Sequence, residues 1–147
     1  VGLQEADTEE FRKMQESGKG YPVEFMINAS SEELWDIYSL TKIYWHASGF
    51  GEDLEKHPEY AEDFGISTVE SMGAGSIPIV FNAGGQKEIV KDGKNGFLWD
   101  TIEDLQGKTL KVISDSNLWQ NLSENAIKRA KFFNNKRFCE ELEKIIA

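Results

Sequence analysis

Glu62-Asp63-Phe64-Gly65-Ile66-Ser67-Thr68-Val69-Glu70 is the stretch from which the rest of the chain can be read. Phe64-Gly65 closes a loop, and a helix is expected to follow, from about Thr68 to Gly75. The first N–H groups of a helix have no intrahelical partner and carry partial positive charge. Gly65 lets a ligand approach the backbone closely. Together these features predict an anion or hydroxyl site at a helix N-terminus. Glu62 stands just before the turn and Glu70 one turn into the helix, so two carboxylates flank the site and suit the diols of a sugar. The local pattern also has a plainer reading. Ser67-x-x-Glu70 is a capping box, in which Glu70 only accepts from the backbone. Asp7-x-x-Glu10, Ser30-x-x-Glu33 and Thr101-x-x-Asp104 repeat that pattern. Taken locally, the cap is the favoured reading of Glu70.

Working outward, Ile77 to Asn82 is expected to be a buried strand, Ala83-Gly84-Gly85 a turn and Lys87 to Val90 a short helix. Asp92-Gly93-Lys94-Asn95-Gly96 is a hairpin-like turn before the short strand Phe97-Leu98-Trp99. Three helices should fill Thr101 to Ala147. Upstream, Val1-Gly2-Leu3-Gln4 has the character of a strand end. Asp7-Thr8-Glu9-Glu10 starts a helix that runs to about Glu16 and is stopped by Ser17-Gly18-Lys19-Gly20. Val23 to Ile27 is expected to be a strand. Ser30-Ser31-Glu32-Glu33 starts a helix with Leu34, Trp35, Ile37 and Tyr38 on its apolar face. Lys42 to His46 is expected to be a short buried strand. Ala47 to Asp63 is a long loop with a turn or two of helix, a length that is often functional. Four or five strands alternating with helices predict an α/β fold, a Rossmann-like parallel sheet with helices on both faces. Ligands of such sheets gather at the carboxyl ends of the strands. His46, the Glu62–Thr68 segment and Ala83-Gly84-Gly85 would meet on that edge.

Composition narrows the function classes. A length of 147 residues fits one domain, and 39% hydrophobic with 12% aromatic residues is enough for a core. No apolar run approaches the roughly 20 residues of a membrane span. The acidic N-terminus is not that of a signal peptide. Cys139 is the single cysteine, so no internal disulfide can form, which suits a reducing, cytoplasmic setting. A net charge of −10 argues against nucleic acid as a partner. A phosphorylated ligand would have to be held locally, against the overall field. His46 and His57 lack the spacing of metal ligands. Gly73-x-Gly75 is not a dinucleotide fingerprint, because Pro78 stands where a third glycine is needed, and these glycines suggest close packing of helix on sheet. Lys87 reads as a solvated side chain. Trp35, Trp45, Trp99 and Trp119 read as core or interface, and Phe132, Phe133 and Phe138 as a buried helix face, part of which is expected to be exposed in this chain.

Four segments then occur in order: Glu62-x-Phe64-Gly65-x-x-x-x-Glu70, Met72-x-Ala74-Gly75-x-x-Pro78-Ile79-Val80, Gly84-Gly85-x-x-Glu88-Ile89-Val90 and Gly93-x-x-Gly96-Phe97-Leu98. In that order and spacing the chain resembles the C-terminal donor-binding domain of family 4 (group 1) retaining glycosyltransferases of the GT-B fold, over roughly residues 23 to 146. The resemblance implies transfer of a hexosyl group from a nucleoside-diphosphate sugar to an acceptor hydroxyl, with retention, in glycan or polysaccharide biosynthesis. It implies no metal and no cofactor beyond that substrate. Glu62 would face hydroxyls of the donor sugar, as the catalytic-site carboxylate, and Glu70 the ribose. Backbone N–H groups of Phe64, Gly65, Ile66, Ser67 and Thr68 would meet sugar and phosphates, and the base would lie near Ile27, Ala29 and Ser31. His46 is either a donor-side contact or a structural histidine. The segment Val69-Glu70-Ser71-Met72 after Phe64-Gly65 is similar to eukaryotic-type mannosyltransferases, which implies GDP-mannose.

The chain departs from the family in one respect. An upstream Arg and Lys that hold the donor phosphates are unmatched, since Arg12 and Lys13 lie inside the first expected helix. Residues 1–147 are therefore expected to be one donor domain, truncated at its N-terminus and inactive alone. The glycan or lipid-linked acceptor would be selected by an absent N-terminal domain, in the cytoplasm or at the cytoplasmic face of a membrane. A non-catalytic nucleotide-binding module of the same fold and a sugar-nucleotide epimerase are the alternatives, and the order of the four segments argues against the epimerase.

Overall fold

The apolar run Ile77-Pro78-Ile79-Val80 has no polar alternation, as expected of a strand covered on both faces. In the computed structural model, which describes residues 9–146, it forms β2 (Ile77–Phe81), with every residue from Ile77 to Val80 buried. β1 (Ile43–His46) and β3 (Phe97–Trp99) flank it in parallel, in the order β1-β2-β3. Ile43 faces Ile77 across one ladder, and Phe81 faces Trp99 across the other.

Successive side chains of a strand point to opposite faces, and two cores result. Ile77 and Ile79 pack with Phe97, Trp99, Val112 and Leu122. Val80 packs with Met72, Ile89, Val90, Ala126 and Ala130. The first core lies beneath α5 (Ile102–Ser114) and α6 (Ser116–Ala130). The second lies beneath α3 (Ile66–Gly73), α4 (Gln86–Ile89) and α6. Each fully buried Ile or Leu contributes about 1.5–3 kcal/mol relative to exposure. The fold is thus the expected α/β class, a parallel sheet with helices on both faces.

Helix ends follow local chemistry. Thr101 Oγ1 accepts from Asp104 N at 3.2 Å, and Asp115 caps α6 through the N–H groups of Asn117 and Leu118. Each such cap is worth about 1 kcal/mol. Ser30 and Glu33 form a reciprocal capping box at α2 (Ser31–Leu40). The backbone N–H and hydroxyl of Ser30 hold the Glu33 carboxyl below the usual range.

The chain divides into two units, Val1–Asp36 and Ile37–Ala147. The first contains α1 (Glu9–Gly18), two residues longer than expected. The expected strand end Val1–Gln4 and the start of the capping box at Asp7-Thr8 lie outside the described residues. Val23–Ile27 is not a strand. It pairs with no strand among the described residues. Tyr21 and Val23 stay 72% and 53% exposed, while Phe25 packs edge-on against Phe11 at 5.6 Å. The described sheet therefore has three strands rather than four or five.

Other departures lie in the second unit. β1 is an edge strand and only half buried, with Trp45 exposed. The long loop holds a single 3-10 turn, Pro58–Tyr60. Gly73 and Gly75 face Ala130 and Ser123 of α6, so they serve helix-on-helix rather than helix-on-sheet packing. The Asp92–Gly96 turn closes through Gly93 N to Gly96 O at 2.9 Å but leads into a parallel strand, so no hairpin forms. Only Trp99 of the four tryptophans is fully buried. Phe132 and Phe138 are exposed, in keeping with the expectation that part of this face is uncovered, and α7 (Asn135–Ile146) has no buried residue among those described.

Candidate functional site

Gly65 is the N-cap of α3, in the left-handed region at φ +91°. A capping serine one residue into the turn would compete with that geometry, and no side chain caps this helix. The capping-box reading of Ser67 and Glu70 is therefore wrong. The first intrahelical bond runs from Val69 N to Gly65 O, which leaves the N–H groups of Ile66, Ser67 and Thr68 without a partner among the described residues. These are the orphan donors that a ligand can satisfy. The helix starts at Ile66, two residues earlier than expected. The Glu70 carboxylate is half-buried and makes no hydrogen bond or ion pair among the described residues.

β1 delivers the opposing wall. His46 ends the strand, with its side chain 10% exposed, and its Nε2 lies 3.2 Å from Glu62 Oε2. A carboxylate only accepts, so Nε2 is the donor, and the other ring nitrogen takes no part in this contact. That nitrogen, Nδ1, is buried without a partner. The core anchors the same residue, since Trp99 Nε1 donates to the His46 carbonyl at 3.2 Å. Two positions back, Tyr44 meets Ser67 Oγ at 2.7 Å and so ties β1 to the first turn of α3. Burial pushes the Tyr44 phenol up; hydrogen bonds to Ser67 and Thr68 oppose this, and the charges of Glu62 and Glu70 reinforce it. The neighbouring Tyr38 is raised by burial first, then by Tyr44 and Glu70. Both phenols therefore stay neutral, Tyr44 near Glu62 and Glu70 and Tyr38 near Glu70.

The turn after β2 holds the loop from below. Gly85 N donates to Glu62 O at 2.8 Å. A Cβ on Gly84 would lie 2.3 Å from Glu62 O, and one on Gly85 2.0 Å from Asp63 O. The Gly84-Gly85 pair thus permits a backbone contact that fixes Glu62. Gln86, at 1% exposure, tucks its amide against Gly65, where an added Cβ would meet its nitrogen at 2.6 Å. Both polar atoms of that amide are buried without a protein partner.

The structure therefore gathers His46, Glu62, Gly65, Ser67, Thr68 and Glu70 at the carboxyl edge of the sheet. Phe64 is 43% exposed and stands edge-on to Phe133 at 5.4 Å. Ile27, Ala29 and Ser31 belong to the first unit, the first two half-buried ahead of α2 and Ser31 exposed at its start. The same stretch contains Asn28 in the left-handed region at φ 54°. Lys87 is exposed, as expected. Sequence reasoning missed Tyr44 and Gln86. Tyr44 carried the signal of strand alternation, two residues from His46 on the same face. Gln86 carried only its place after Gly84-Gly85. Among the described residues no cluster of three or more His, Cys, Asp or Glu could hold a metal, and no helix is long and apolar enough to cross a membrane.

An arrangement of free N–H groups between two carboxylates can bind hydroxyls and phosphate oxygens together. Residues 1–129 match the family described as glycosyl transferases group 1. The GDP-Man:Man(3)GlcNAc(2)-PP-Dol alpha-1,2-mannosyltransferase of Dictyostelium discoideum is 30% identical over 125 residues, which cover 84% of this chain and 23% of that protein. The chain thus spans about a quarter of the length of this curated relative. Sucrose-phosphate synthase from Thermosynechococcus elongatus superposes with a TM-score of 0.77 at 21% identity, over 99% of this chain and 36% of the other. HepE of Anabaena, in complex with UDP-glucose, gives 0.70 at 22% identity, over 92% and 37%. With its parallel sheet, its Glu62–Glu70 segment and a family match over most of its length, the chain belongs to the glycosyl transferases group 1 family and has the GT-B type of fold.

Proposed function

We propose that this chain is the donor-binding part of a retaining hexosyltransferase that uses a nucleoside-diphosphate sugar. The observation that carries the reading is the uncapped N-terminus of α3, where three free N–H groups lie between Glu62 and Glu70. In this reading the N–H groups from Phe64 to Thr68 take the phosphates and sugar. Glu62, oriented by His46, takes sugar hydroxyls, and Glu70 takes the ribose diol. Fixed dipoles at the pyrophosphate would stabilise the leaving group as charge develops on it, which is electrostatic catalysis. The acceptor, a glycan or lipid-linked glycan, would bind to a further domain of a longer protein, so this chain binds donor without turning it over. GDP-mannose is the favoured donor, since the Dictyostelium relative is by name a GDP-Man-dependent mannosyltransferase.

Calorimetric titration with a nucleoside diphosphate and with the matching sugar nucleotide tests the reading. Glu62→Ala is expected to abolish the difference between the two ligands while leaving nucleoside diphosphate affinity unchanged. Equal loss for both ligands would remove Glu62 from the sugar.

A further inference from the structure

Among the described residues, every buried side-chain polar atom that lacks a hydrogen bond belongs to a residue in or against the Glu62–Thr68 loop. Gln86 contributes two of these atoms, Nε2 and Oε1, at 1% exposure. It opens α4, directly after the glycine whose N–H donates to the Glu62 carbonyl. Its amide lies against the N-cap of α3: a Cβ placed on Gly65 would stand 2.6 Å from Gln86 Nε2 and 3.2 Å from Thr68 Oγ1. A buried amide left unpaired is destabilising, whereas methionine would fill much the same space with no such penalty. An unmet group of this kind calls for a partner from outside the protein.

We propose that Gln86 is a positioning residue for the donor, and that its amide is met by a hydroxyl held in the occupied loop. The chemistry of the amide selects that partner. Nε2 needs an acceptor and Oε1 needs a donor, and a hydroxyl both accepts and donates. The diphosphate of a sugar nucleotide only accepts at neutral pH and would leave Oε1 unmet; the N–H groups of Ile66, Ser67 and Thr68 suit it instead. The hydroxyl belongs to the donor sugar or to a water that the ligand orders. In both cases the amide acts through Gly65, whose left-handed turn at φ +91° sets the aim of those N–H groups. Gln86 thus lowers the stability of the chain and raises its affinity for ligand, an opposition found at functional sites. The inference rests on the donor reading of the loop.

Stability and affinity of Gln86→Met, measured together on the 147-residue chain, test it. Urea titration should show a midpoint raised by about 0.5–1 M. Calorimetric titration with GDP-mannose and UDP-glucose should show, for whichever binds the wild type, an affinity lowered about tenfold. Gln86→Leu, branched and apolar, should follow Gln86→Met in both measurements. Titration with GDP and UDP separates the two sources of the hydroxyl. A loss confined to the sugar nucleotide identifies the sugar, and an equal loss for its nucleoside diphosphate identifies an ordered water. A residue that only packs would move stability and affinity in the same direction, or leave affinity unchanged. A midpoint at or below that of the wild type shows an amide already paired without ligand and overturns the inference. So does unchanged affinity for all ligands that the wild type binds, an outcome that leaves the donor reading standing. Binding of none of the four ligands by the wild type removes that reading and this inference with it.

Discussion

Gly85→Ala isolates the contact that fixes Glu62. Gly85 sits at φ −67°, ψ −15°, a conformation that alanine adopts freely, so any cost is steric. The new Cβ would lie 2.0 Å from Asp63 O and 3.0 Å from Phe64 Cα. Against an ordinary contact of 3.4 Å, the loop must retreat by roughly 1.4 Å from Asp63 O. Both neighbours are backbone, so no side chain can swing away. Overpacking of this kind costs about 1–3 kcal/mol, and loss of the 2.8 Å bond from Gly85 N to Glu62 O adds about 1 kcal/mol. A total of about 2–4 kcal/mol should lower the urea midpoint by about 1–2 M for a domain of this size. Urea titration followed by far-ultraviolet circular dichroism reads this directly. Gly107→Ala is the control: nothing lies within 4 Å of its Cβ and it is helical, so a gain of about 0.5–1 kcal/mol is expected. A Gly85→Ala midpoint equal to wild type would refute the packing of this turn against the Glu62 loop.

Tyr44→Phe should cost about 0.5–1.5 kcal/mol at neutral pH through the lost Ser67 bond, measured by urea titration. The same variant should flatten the alkaline limb of stability. Because the Tyr44 phenol is raised in the folded state, its contribution is complete below the unfolded value of about 10 and is lost as pH rises through the folded one; the wild type should lose more stability than Tyr44→Phe between pH 8 and 11, and equal losses would count against it. His46→Ala should weaken sugar-nucleotide binding by about tenfold by freeing Glu62 from its 3.2 Å partner, whereas nucleoside diphosphate binding should change little in the same calorimeter. Ile79→Ala, at the fully buried centre of β2, should cost about 2–5 kcal/mol by thermal or urea unfolding.

The α/β architecture was legible because its signals are local. The run Ile77–Val80 marks a strand buried on both faces, and Thr101 and Ser30 mark helix starts through their own side-chain bonds. Val23–Ile27 shows the limit, since its apolar pattern is real but tertiary packing decides the pairing, and here Phe25 packs on Phe11 instead. The role of Ser67 was misread for a related reason. The capping-box pattern is correct chemistry, yet Tyr44, distant in sequence, engages its hydroxyl, and Gly65 takes the cap position. Gln86 enters the site only through tertiary packing, and nothing around it signals a contact with Gly65; Tyr44 could be placed beside the site only by its strand alternation with His46. Glu62 and Glu70 were singled out by the ordered resemblance of the four segments, since the local pattern alone favoured a cap at Glu70, while the turn at Gly65 was legible from the glycine itself.

The account stands or falls on whether the free N-terminus of α3 and Glu70 hold a nucleotide. Calorimetric titration of the chain with GDP, UDP and ADP, beside Glu70→Ala, measures this. A single saturable site is predicted, tightest for GDP and weakened about tenfold or more by Glu70→Ala, in line with about 1.5–3 kcal/mol for hydrogen bonds to a charged group. No saturable binding of any of the three, or identical affinity in Glu70→Ala, would contradict it.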